Sequence, residues 1–204
     1  MKNNKIIIAT GGTGGHIFPA LSLYKYFENK DYDVSITSDV RGLKFINKPE
    51  NLKIKIIKAS SFSIKNKVFA FFKIIYSIIE SLYFLIKRKP KLVFGMGGYA
   101  SFPICFSAII LNKPFALYEN NLAIGKVNKY LLPYAKFIFI AYDSVEGIDK
   151  KYKDKTFCVG NILRPEILDY KKKNKKFENK LNILILGGSQ AAKAFAEKLP
   201  NIFI

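Results

Sequence analysis

Three glycine-rich turns, each placed directly after a short apolar run, constrain this chain more than any other feature. The turns read GGTGG at 11–15, GMGGY at 95–99 and LGGSQ at 186–190. Glycine allows the positive φ angles that a tight turn needs, and it lets backbone N–H groups approach an anion closely. Pro19 follows the first turn and fits the first turn of a helix. The pattern therefore predicts strand–turn–helix units whose turns cradle phosphate-like groups.

Apolar runs of strand length alternate with helical stretches along most of the chain. This alternation is typical of an α/β protein with a parallel sheet that is covered on both faces. The predicted strands are Lys5–Ala9, Val34–Thr37, Leu52–Ile57, Leu92–Phe94, Phe115–Tyr118, Phe137–Ala141 and Phe157–Val159. The predicted helices are Pro19–Glu28, Val68–Arg88, Tyr99–Leu111 and Ala123–Tyr134. Such sheets bind ligands at the carboxyl ends of their strands, where the glycine turns lie.

The formal net charge of +19 over 204 residues raises the question of a nucleic-acid partner. Only Arg41, Arg88 and Arg164 among the 34 basic residues are arginines, whereas base recognition favours arginine. No DNA- or RNA-binding motif is present in the sequence. We therefore predict no nucleic-acid partner, and we attribute part of the charge to attraction to anionic lipid or diphosphate.

Cys105 and Cys158 lie far apart, without a CxxC motif or a nearby histidine. They indicate buried thiols in a reducing compartment rather than a metal site, and we predict no metal and no cofactor. The first residues, MKNNKIIIATGG, contain an apolar run that is too short for a signal peptide and that is predicted to form the first strand. We therefore expect a cytoplasmic location.

The single histidine of the chain, His16, closes the first glycine turn. A dinucleotide-binding fingerprint begins in the same way, and Asp39 stands where a ribose-binding acid would be. The third glycine of that fingerprint would fall at Ile17, however. Three separated cradles favour instead a long ligand with several phosphates, or two ligands that meet. An imidazole at their rim, with an ordinary pKa of about 6.5, is suited to general-base chemistry.

The segment VFAFFKIIYSIIESLYFLI at 68–86 is apolar around most of a predicted helix. Lys73 and Glu80 interrupt it, which argues against a transmembrane helix. We expect one side to pack on the sheet and the edges of the apolar arc to meet a membrane interface; a fully buried crossover helix is the alternative. The surrounding basic residues, which would face anionic headgroups, are Lys65, Lys67, Lys73, Lys87, Arg88, Lys89 and Lys91.

Five motifs together resemble the MurG family of peptidoglycan N-acetylglucosaminyltransferases, membrane-associated enzymes that turn lipid I into lipid II. The motifs are GGTGGHIFPA (11–20), GMGGYASFP (95–103), YENNLAIGKVNK (118–129), GNILRPEIL (160–168) and LGGSQAAK (186–193). The family usually has His-Glu-Gln-Asn at 118–121, where this chain has Tyr-Glu-Asn-Asn. It usually has Gly-Asn-Pro-Val-Arg at 160–164, where this chain has Gly-Asn-Ile-Leu-Arg, and glycine in place of Ala191.

The resemblance implies a GT-B architecture of two Rossmann-like domains with the active site in the cleft between them. It implies inverting transfer of GlcNAc from UDP-GlcNAc to the C4 hydroxyl of MurNAc in undecaprenyl-linked lipid I. His16 would be the general base, and Glu119 would orient or assist it. The acceptor diphosphate would contact the first glycine turn together with Gly97, Gly98 and Tyr99. The expected UDP-GlcNAc contacts are Thr13, Gly14, Gly15, Asn121, Arg164 and Ser189.

The resemblance also implies a peripheral enzyme on the cytoplasmic face of the bacterial inner membrane. We expect residues 1–163 to form the acceptor- and membrane-binding domain and 164–180 to form a hinge and lysine-rich linker. Residues 181–204 would be the first βα unit of a donor-binding domain, and we expect the chain by itself to be inactive. Two alternatives are an inactive membrane-binding module and another Rossmann-like protein, either an oxidoreductase or a nucleotide-sugar-binding protein.

Overall fold

Seven strands make up the sheet within the part of the chain that the structure describes. The computed structural model describes residues 4–47, 50, 52–58, 67–168 and 197–200, without the side chains of 67–69. The strands are β1 (Lys5–Ala9), β2 (Asp33–Ser38), β3 (Ile54–Ile56), β4 (Leu92–Gly95), β5 (Phe115–Glu119), β6 (Phe137–Ile140) and β7 (Thr156–Cys158). Their order is β3-β2-β1-β4-β5-β6-β7, and every neighbouring pair is parallel. The predicted α/β class with a parallel sheet is confirmed.

All seven predicted strands are present: β1 has its predicted ends, and the ends of the other strands lie within two residues of the prediction. The largest difference is at β3, which pairs only from Ile54 to Ile56 instead of over the predicted Leu52–Ile57. All three of its residues are half-buried, because β3 is the edge strand beside β2. The apolar residues Leu52 and Ile57 lie just outside the paired part of this edge strand, so the apolar run in the sequence is longer than the strand itself.

The described helices are α1 (Gly14–Glu28), α2 (Val40–Leu43), α3 (Lys67–Arg88), α4 (Phe102–Ile110), α5 (Lys126–Leu131) and α6 (Pro165–Leu168). Short 3-10 turns precede α4 at Tyr99–Ser101 and follow α5 at Leu132–Tyr134. The predicted helix Ala123–Tyr134 is therefore too long at its start. Ala123 instead forms a bridge with Glu146, which keeps the chain extended until Gly125.

Helix α1 begins at Gly14, five residues before the predicted start at Pro19. An interior proline has no N–H to donate to the carbonyl four residues earlier, so the Gly15 carbonyl loses its helical partner. Asn120, from the loop after β5, donates to that carbonyl from Nδ2 at 3.0 Å. The hydroxyl of Thr10 similarly donates to the His16 carbonyl at 2.9 Å. The bond from Asn120 thus replaces the one that the proline removes, and the bond from Thr10 adds a further contact to the same turn.

Apolar residues on the two faces of the sheet form two separate clusters. Along β1, Ile7 and Ala9 belong to one cluster, and Ile6 and Ile8 belong to the other, because successive side chains of a strand point to opposite faces. Residues of α3, α4 and α5 complete the first cluster, and residues of α1 complete the second. Helices therefore cover both faces, which leaves the carboxyl ends of the strands as the open edge.

Among its described side chains, helix α3 buries two small polar ones and leaves seven large apolar ones exposed, although Leu85 is buried in the core. Ser77 and Ser81 are buried, and their hydroxyls donate to the carbonyls of Ile74 at 2.8 Å and Ser77 at 2.6 Å. Small residues allow α3 to pack closely on α4. The exposed large apolar residues of α3, which we call the α3 face, are Phe71, Phe72, Ile75, Tyr76, Ile79, Tyr83 and Ile86. The fully buried crossover helix is therefore excluded. None of the described helices has the length and hydropathy needed to span a membrane.

The two cysteines differ in their surroundings. Cys105 is fully buried in α4, and burial raises the pKa of its thiol to about 12. Cys158 is exposed on β7, at the edge of the sheet, so the prediction of a buried thiol is wrong there. The chain divides into compact units at residues 1–170 and 171–204. Of the predicted second-domain unit at 181–204, only residues 197–200 are described, so its strand and glycine turn lie outside the described residues.

Candidate active site

The candidate site lies where three neighbouring strands, β1, β4 and β5, reach the same edge of the sheet. The first glycine turn follows β1, the second follows β4, and the segment 119–128 begins with the last residue of β5. Parallel strands bring these segments together although the first and the third are more than a hundred residues apart in sequence. The residues that the sequence analysis selected from three motifs thus meet at one place.

The first glycine turn is held in place by Asp39. The Asp39 carboxylate oxygen Oδ1 accepts hydrogen bonds from the backbone N–H groups of Gly12 and Gly42, both at 3.0 Å. Its other oxygen accepts from Arg41 Nε at 2.7 Å. Gly12 has φ +83°, in the left-handed region that favours glycine. Because its carboxylate is used to anchor the turn, Asp39 does not serve as the ribose-binding acid of a dinucleotide site.

His16 lies in the first turn of α1, directly beneath the second glycine turn. A Cβ on Gly97 would lie 3.1 Å from His16 Cε1, and one on Gly98 would lie 3.3 Å from His16 Cδ2. Both glycines also have left-handed backbones, with φ +83° and +75°. Glycine is therefore required at both positions, because a side chain would be strained and would displace the imidazole.

The pKa of His16 is lowered from the ordinary value of 6.5, chiefly because burial disfavours the charged ring. The negative charge of Glu119 and the backbone of Met96 act in the opposite direction but do not reverse the shift. Nδ1 is buried and makes no hydrogen bond within the described part of the chain. The imidazole is therefore neutral at pH 7, which is the form that accepts a proton.

Glu119 is buried at the end of β5 and organises the segment that follows it. Its Oε1 accepts from the backbone N of Asn121 at 3.1 Å and from Asn121 Nδ2 at 2.7 Å. Its Oε2 accepts from the backbone N of Gly125 at 2.9 Å and from Asn128 Nδ2 at 3.0 Å. Both oxygens are thus occupied by donors, which suits a carboxylate that shapes a loop better than one that abstracts a proton.

Asn128 and Lys126 are site residues that the sequence analysis missed. Asn128 is buried in α5, where it donates to the Tyr118 carbonyl at 3.1 Å in addition to Glu119. The Asn128 Oδ1 is buried without a partner among the described residues. The side chains of Asn128 and Lys126 line the cavity beside His16. In the sequence, Asn128 is a single asparagine between the apolar positions Val127 and Leu131, and this alone gives no signal of a site.

Tyr118 ties the segment at 160–162 to the sheet. Its hydroxyl donates to the Gly160 carbonyl at 3.2 Å and accepts from the backbone N of Ile162 at 3.1 Å. Burial raises the pKa of the phenol, which therefore stays protonated. Tyr118 stands where the family motif usually has histidine, and its hydroxyl holds the segment that leads to Arg164 against the sheet.

The structure brings most of the predicted site residues together. One cavity of about 330 Å³, which we call the active-site cavity, is lined by His16, Gly97, Gly98, Tyr99, Glu119, Asn121, Gly125, Lys126, Val127 and Asn128. Thr13, Gly14 and Gly15 form the adjoining cap and first turn of α1, where the Thr13 hydroxyl makes no capping bond. Arg164 lies in a different cavity, with its guanidinium 4.8 Å from the centre of the Phe18 ring. Ser189 lies outside the described residues.

Metal-binding side chains do not cluster in the described residues. No group of three or more histidine, cysteine, aspartate or glutamate side chains is close enough there to hold a metal ion.

The fold and this site define the N-terminal domain of a GT-B glycosyltransferase. The chain belongs to glycosyltransferase family 28, because the model of that family's N-terminal domain matches residues 6–140. One relative, from Pelagibacter ubique (strain HTCC1062), is named UDP-N-acetylglucosamine–N-acetylmuramyl-(pentapeptide) pyrophosphoryl-undecaprenol N-acetylglucosamine transferase. It is 39% identical over 203 residues, which are 99% of this chain and 56% of the relative.

Other comparisons agree with this result. A Francisella tularensis protein of the same name is 36% identical over 211 residues, with 99% of this chain and 57% of the relative covered. The crystal structure of Acinetobacter baumannii MurG matches with a TM-score of 0.72 and 28% identity, over 97% of this chain and 54% of that one. A UDP-GlcNAc 2-epimerase from Methanocaldococcus jannaschii shares the fold, with a TM-score of 0.56 and 18% identity. The chain thus spans a little over half the length of the relatives it matches.

Proposed function

We propose that this chain is the acceptor- and membrane-binding half of an inverting transferase that adds GlcNAc to lipid I and so forms lipid II. UDP-GlcNAc is the donor, and the C4 hydroxyl of MurNAc in the undecaprenyl-linked acceptor is the nucleophile. The proposal rests on the names of the relatives and on one observation above all: a neutral imidazole, placed by the first glycine turn, in a cavity that the second glycine turn lines. Arrangements of this kind favour a diphosphate-bearing acceptor whose hydroxyl reacts beside the histidine.

His16 accepts the proton of the C4 hydroxyl as that oxygen attacks the anomeric carbon of GlcNAc. The new glycosidic bond forms on the face opposite the departing UDP, the bond from the anomeric carbon to the UDP oxygen breaks, and the configuration inverts. Proton removal by a positioned base contributes typically ~10²–10⁴ in rate. Glu119 holds the loop of Asn121 in position and, through its charge, moderates the lowering of the His16 pKa.

UDP departs with additional negative charge, which needs positive partners. Arg164 is exposed, and its guanidinium can bind two phosphate oxygens at once. The backbone N–H groups of Gly14 and Gly15 begin α1, a helix of 15 residues whose amino end favours anions. Thr13, Asn121 and Ser189 complete the proposed donor contacts.

The α3 face is proposed to rest on the cytoplasmic surface of the inner membrane. Phe72 is 63% exposed and Tyr83 is 67% exposed, although soluble surfaces seldom carry a continuous apolar patch of this kind. Lys73, Lys87 and Lys89 lie on or directly after the same helix, and each basic residue near an anionic surface contributes about 1 kcal/mol. Arg88 is instead half-buried and paired with Asp33 at 2.6 Å. Membrane contact would bring the active-site cavity to its lipid-linked substrate.

The catalytic proposal is tested with His16→Ala in a protein in which residues 1–163 are joined to a complete second domain of the family. We expect kcat with a lipid I analogue to fall by about 10²–10⁴, because the base is lost, and KM for UDP-GlcNAc to change little. The KM serves as the internal control for folding and donor binding. If the variant keeps more than about a third of the kcat, His16 is not the base.

The membrane proposal is tested by flotation with anionic liposomes. The double variant Phe72→Ser, Ile79→Ser removes two exposed apolar side chains and should release the chain, as should charge reversal at Lys87 and Lys89. High salt should have the same effect as charge reversal. Tyr26→Ser, on α1, removes a comparably exposed aromatic residue and should leave flotation unchanged. Unchanged flotation of the α3 variants would mean that this face does not bind lipid.

A membrane-binding module without catalysis is the second candidate, and the α3 face is the observation that favours it. The two candidates differ in the transfer assay. A protein with a complete second domain that binds liposomes but transfers no GlcNAc would support the non-catalytic candidate.

A further inference from the structure

A second cavity, of about 530 Å³, shares wall residues with the active-site cavity. Tyr99, Lys126 and Val127 line both of them, so the two spaces adjoin at the start of α5. We call the second cavity the aromatic groove. Its remaining lining consists of Phe102, Phe106, Ile109, Tyr130, Leu131 and Tyr134.

The aromatic groove is an apolar surface that faces outward. Phe102, Phe106 and Ile109 are spaced four and three residues apart, so they share one face of α4. The rings of Phe102 and Phe106 stack with their centres 5.4 Å apart. From α5 and the turn after it, Tyr130 and Tyr134 form the other wall, and they are 74% and 63% exposed. A concave apolar surface of this size matches the cavities that bind small organic ligands.

We propose that the aromatic groove binds the isoprenoid hydrocarbon next to the diphosphate of the acceptor. This inference rests on the proposed function, because it needs a lipid-linked diphosphate in the active-site cavity. Such an acceptor has the order sugar, diphosphate, isoprenoid. The protein surface has matching chemistry in the same order: the His16 imidazole, the Gly97–Gly98 turn with the Lys126 ammonium, and then the aromatic groove.

The chemistry of the lining selects this occupant. Among the residues that line the groove, Lys126 carries the single charge, and it stands at the wall shared with the active-site cavity. A peptide or nucleotide would have to bury polar groups against phenylalanine, isoleucine and leucine side chains, which is unfavourable without hydrogen-bond partners. A hydrocarbon has no such groups, and the adjoining cation accepts the diphosphate end of the same molecule.

The proposal is tested by isothermal titration of the 204-residue chain with diphosphates of increasing hydrocarbon length, below the concentrations at which they form micelles. The series is inorganic diphosphate, dimethylallyl, geranyl and farnesyl diphosphate. Each methylene that is fully removed from water strengthens binding about fourfold. We therefore expect at least a tenfold gain in affinity from the five-carbon to the fifteen-carbon ligand.

Two variants place a carboxylate in the groove without disturbing the core. Tyr130→Glu and, independently, Tyr134→Glu should abolish the gain in affinity with increasing hydrocarbon length. The affinity of both variants for inorganic diphosphate should stay within about twofold of that of the wild type. Tyr26→Glu is the matched control, because Tyr26 is a helical tyrosine that is 58% exposed and is not part of the groove. It should keep the full gain.

Four results would overturn the inference. Equal affinity for all chain lengths, or a gain that survives in both groove variants, would mean that the hydrocarbon does not lie there, while the diphosphate site would stand. Loss of the gain in Ile79→Glu instead would place the hydrocarbon on the α3 face. Failure of every diphosphate to bind, including the inorganic one, would remove the proposed acceptor site and the groove together.

Discussion

Replacing Glu119 with glutamine tests whether one buried carboxylate organises the active-site loop. The carboxylate accepts four hydrogen bonds: two from Asn121, one from the backbone N of Gly125 and one from Asn128 Nδ2. Glutamine has nearly the same shape but only one acceptor oxygen. If that oxygen keeps the two bonds to Asn121, the new NH₂ group faces the donors of Gly125 and Asn128.

The size of the effect follows from those two donors. Each buried donor left without an acceptor costs about 1–3 kcal/mol, so Glu119→Gln should lower the free energy of unfolding by roughly 2–6 kcal/mol. Domains of this kind have only about 5–15 kcal/mol in total. Glu146→Gln is the matched control, because Glu146 is exposed and its carboxylate accepts no hydrogen bond from the residues that the structure describes.

Urea denaturation followed by circular dichroism measures this loss. The same samples report on His16 by NMR without ambiguity, because it is the only histidine in the chain. Since the charge of Glu119 raises the pKa of His16, the pKa should fall in Glu119→Gln and stay unchanged in Glu146→Gln. A loss of stability below about 0.5 kcal/mol together with an unchanged His16 pKa would refute the role assigned to Glu119.

Three further predictions concern the same region. Gly97→Ala should lower the free energy of unfolding by about 1–2 kcal/mol, because its backbone is left-handed, and it should shift the NMR resonances of His16. Gly160→Ala, whose Cβ would have nothing within 4 Å, should lose stability from strain alone and leave those resonances unchanged. Equal behaviour of the two variants would contradict the contact between Gly97 and the imidazole. As pH falls below 6.5, the unfolded chain binds a proton at His16 before the folded chain does. The free energy of unfolding of the wild type, measured in urea titrations, should therefore fall relative to that of His16→Gln. Parallel pH profiles of this free energy would exclude the lowered pKa of His16. Tyr118→Phe should lower the free energy of unfolding by about 1–2 kcal/mol and speed hydrogen exchange of the Ile162 amide, because both hydrogen bonds of the phenol are lost. Unchanged exchange would show that the Tyr118 hydroxyl does not hold the segment 160–162.

Much of the fold could be predicted because its signals are local. An apolar run such as Lys5–Ala9 and a glycine turn such as 11–15 are properties of a few adjacent residues, and the structure has them at the predicted places. Several predicted site residues, including His16, Gly97 and Asn121, also line one cavity. The roles predicted for them in catalysis and in substrate binding stay predictions until the experiments above are done.

The rest depended on partners that are distant in sequence. A local rule placed the start of α1 at Pro19, but Asn120, which is 105 residues from Gly15, accommodates the proline inside the helix. Asn128 could not be recognised because an isolated asparagine has no pattern, and its importance comes from the Glu119 carboxylate it contacts.

The sequence by itself determined the α/β class, the parallel strands and the glycine turns, because side-chain periodicity and glycine's conformational freedom act over a few residues. Only the tertiary structure decided which way α3 faces. Its serines and its aromatic residues are both compatible with a helix, and packing against α4 buries Ser77 and Ser81 because small side chains allow the closest approach. The large residues on the opposite side of α3 are thereby left exposed, whereas Leu85 is buried in the core. The sequence pattern predicted a wide apolar arc, but only packing decided which of its residues form the α3 face.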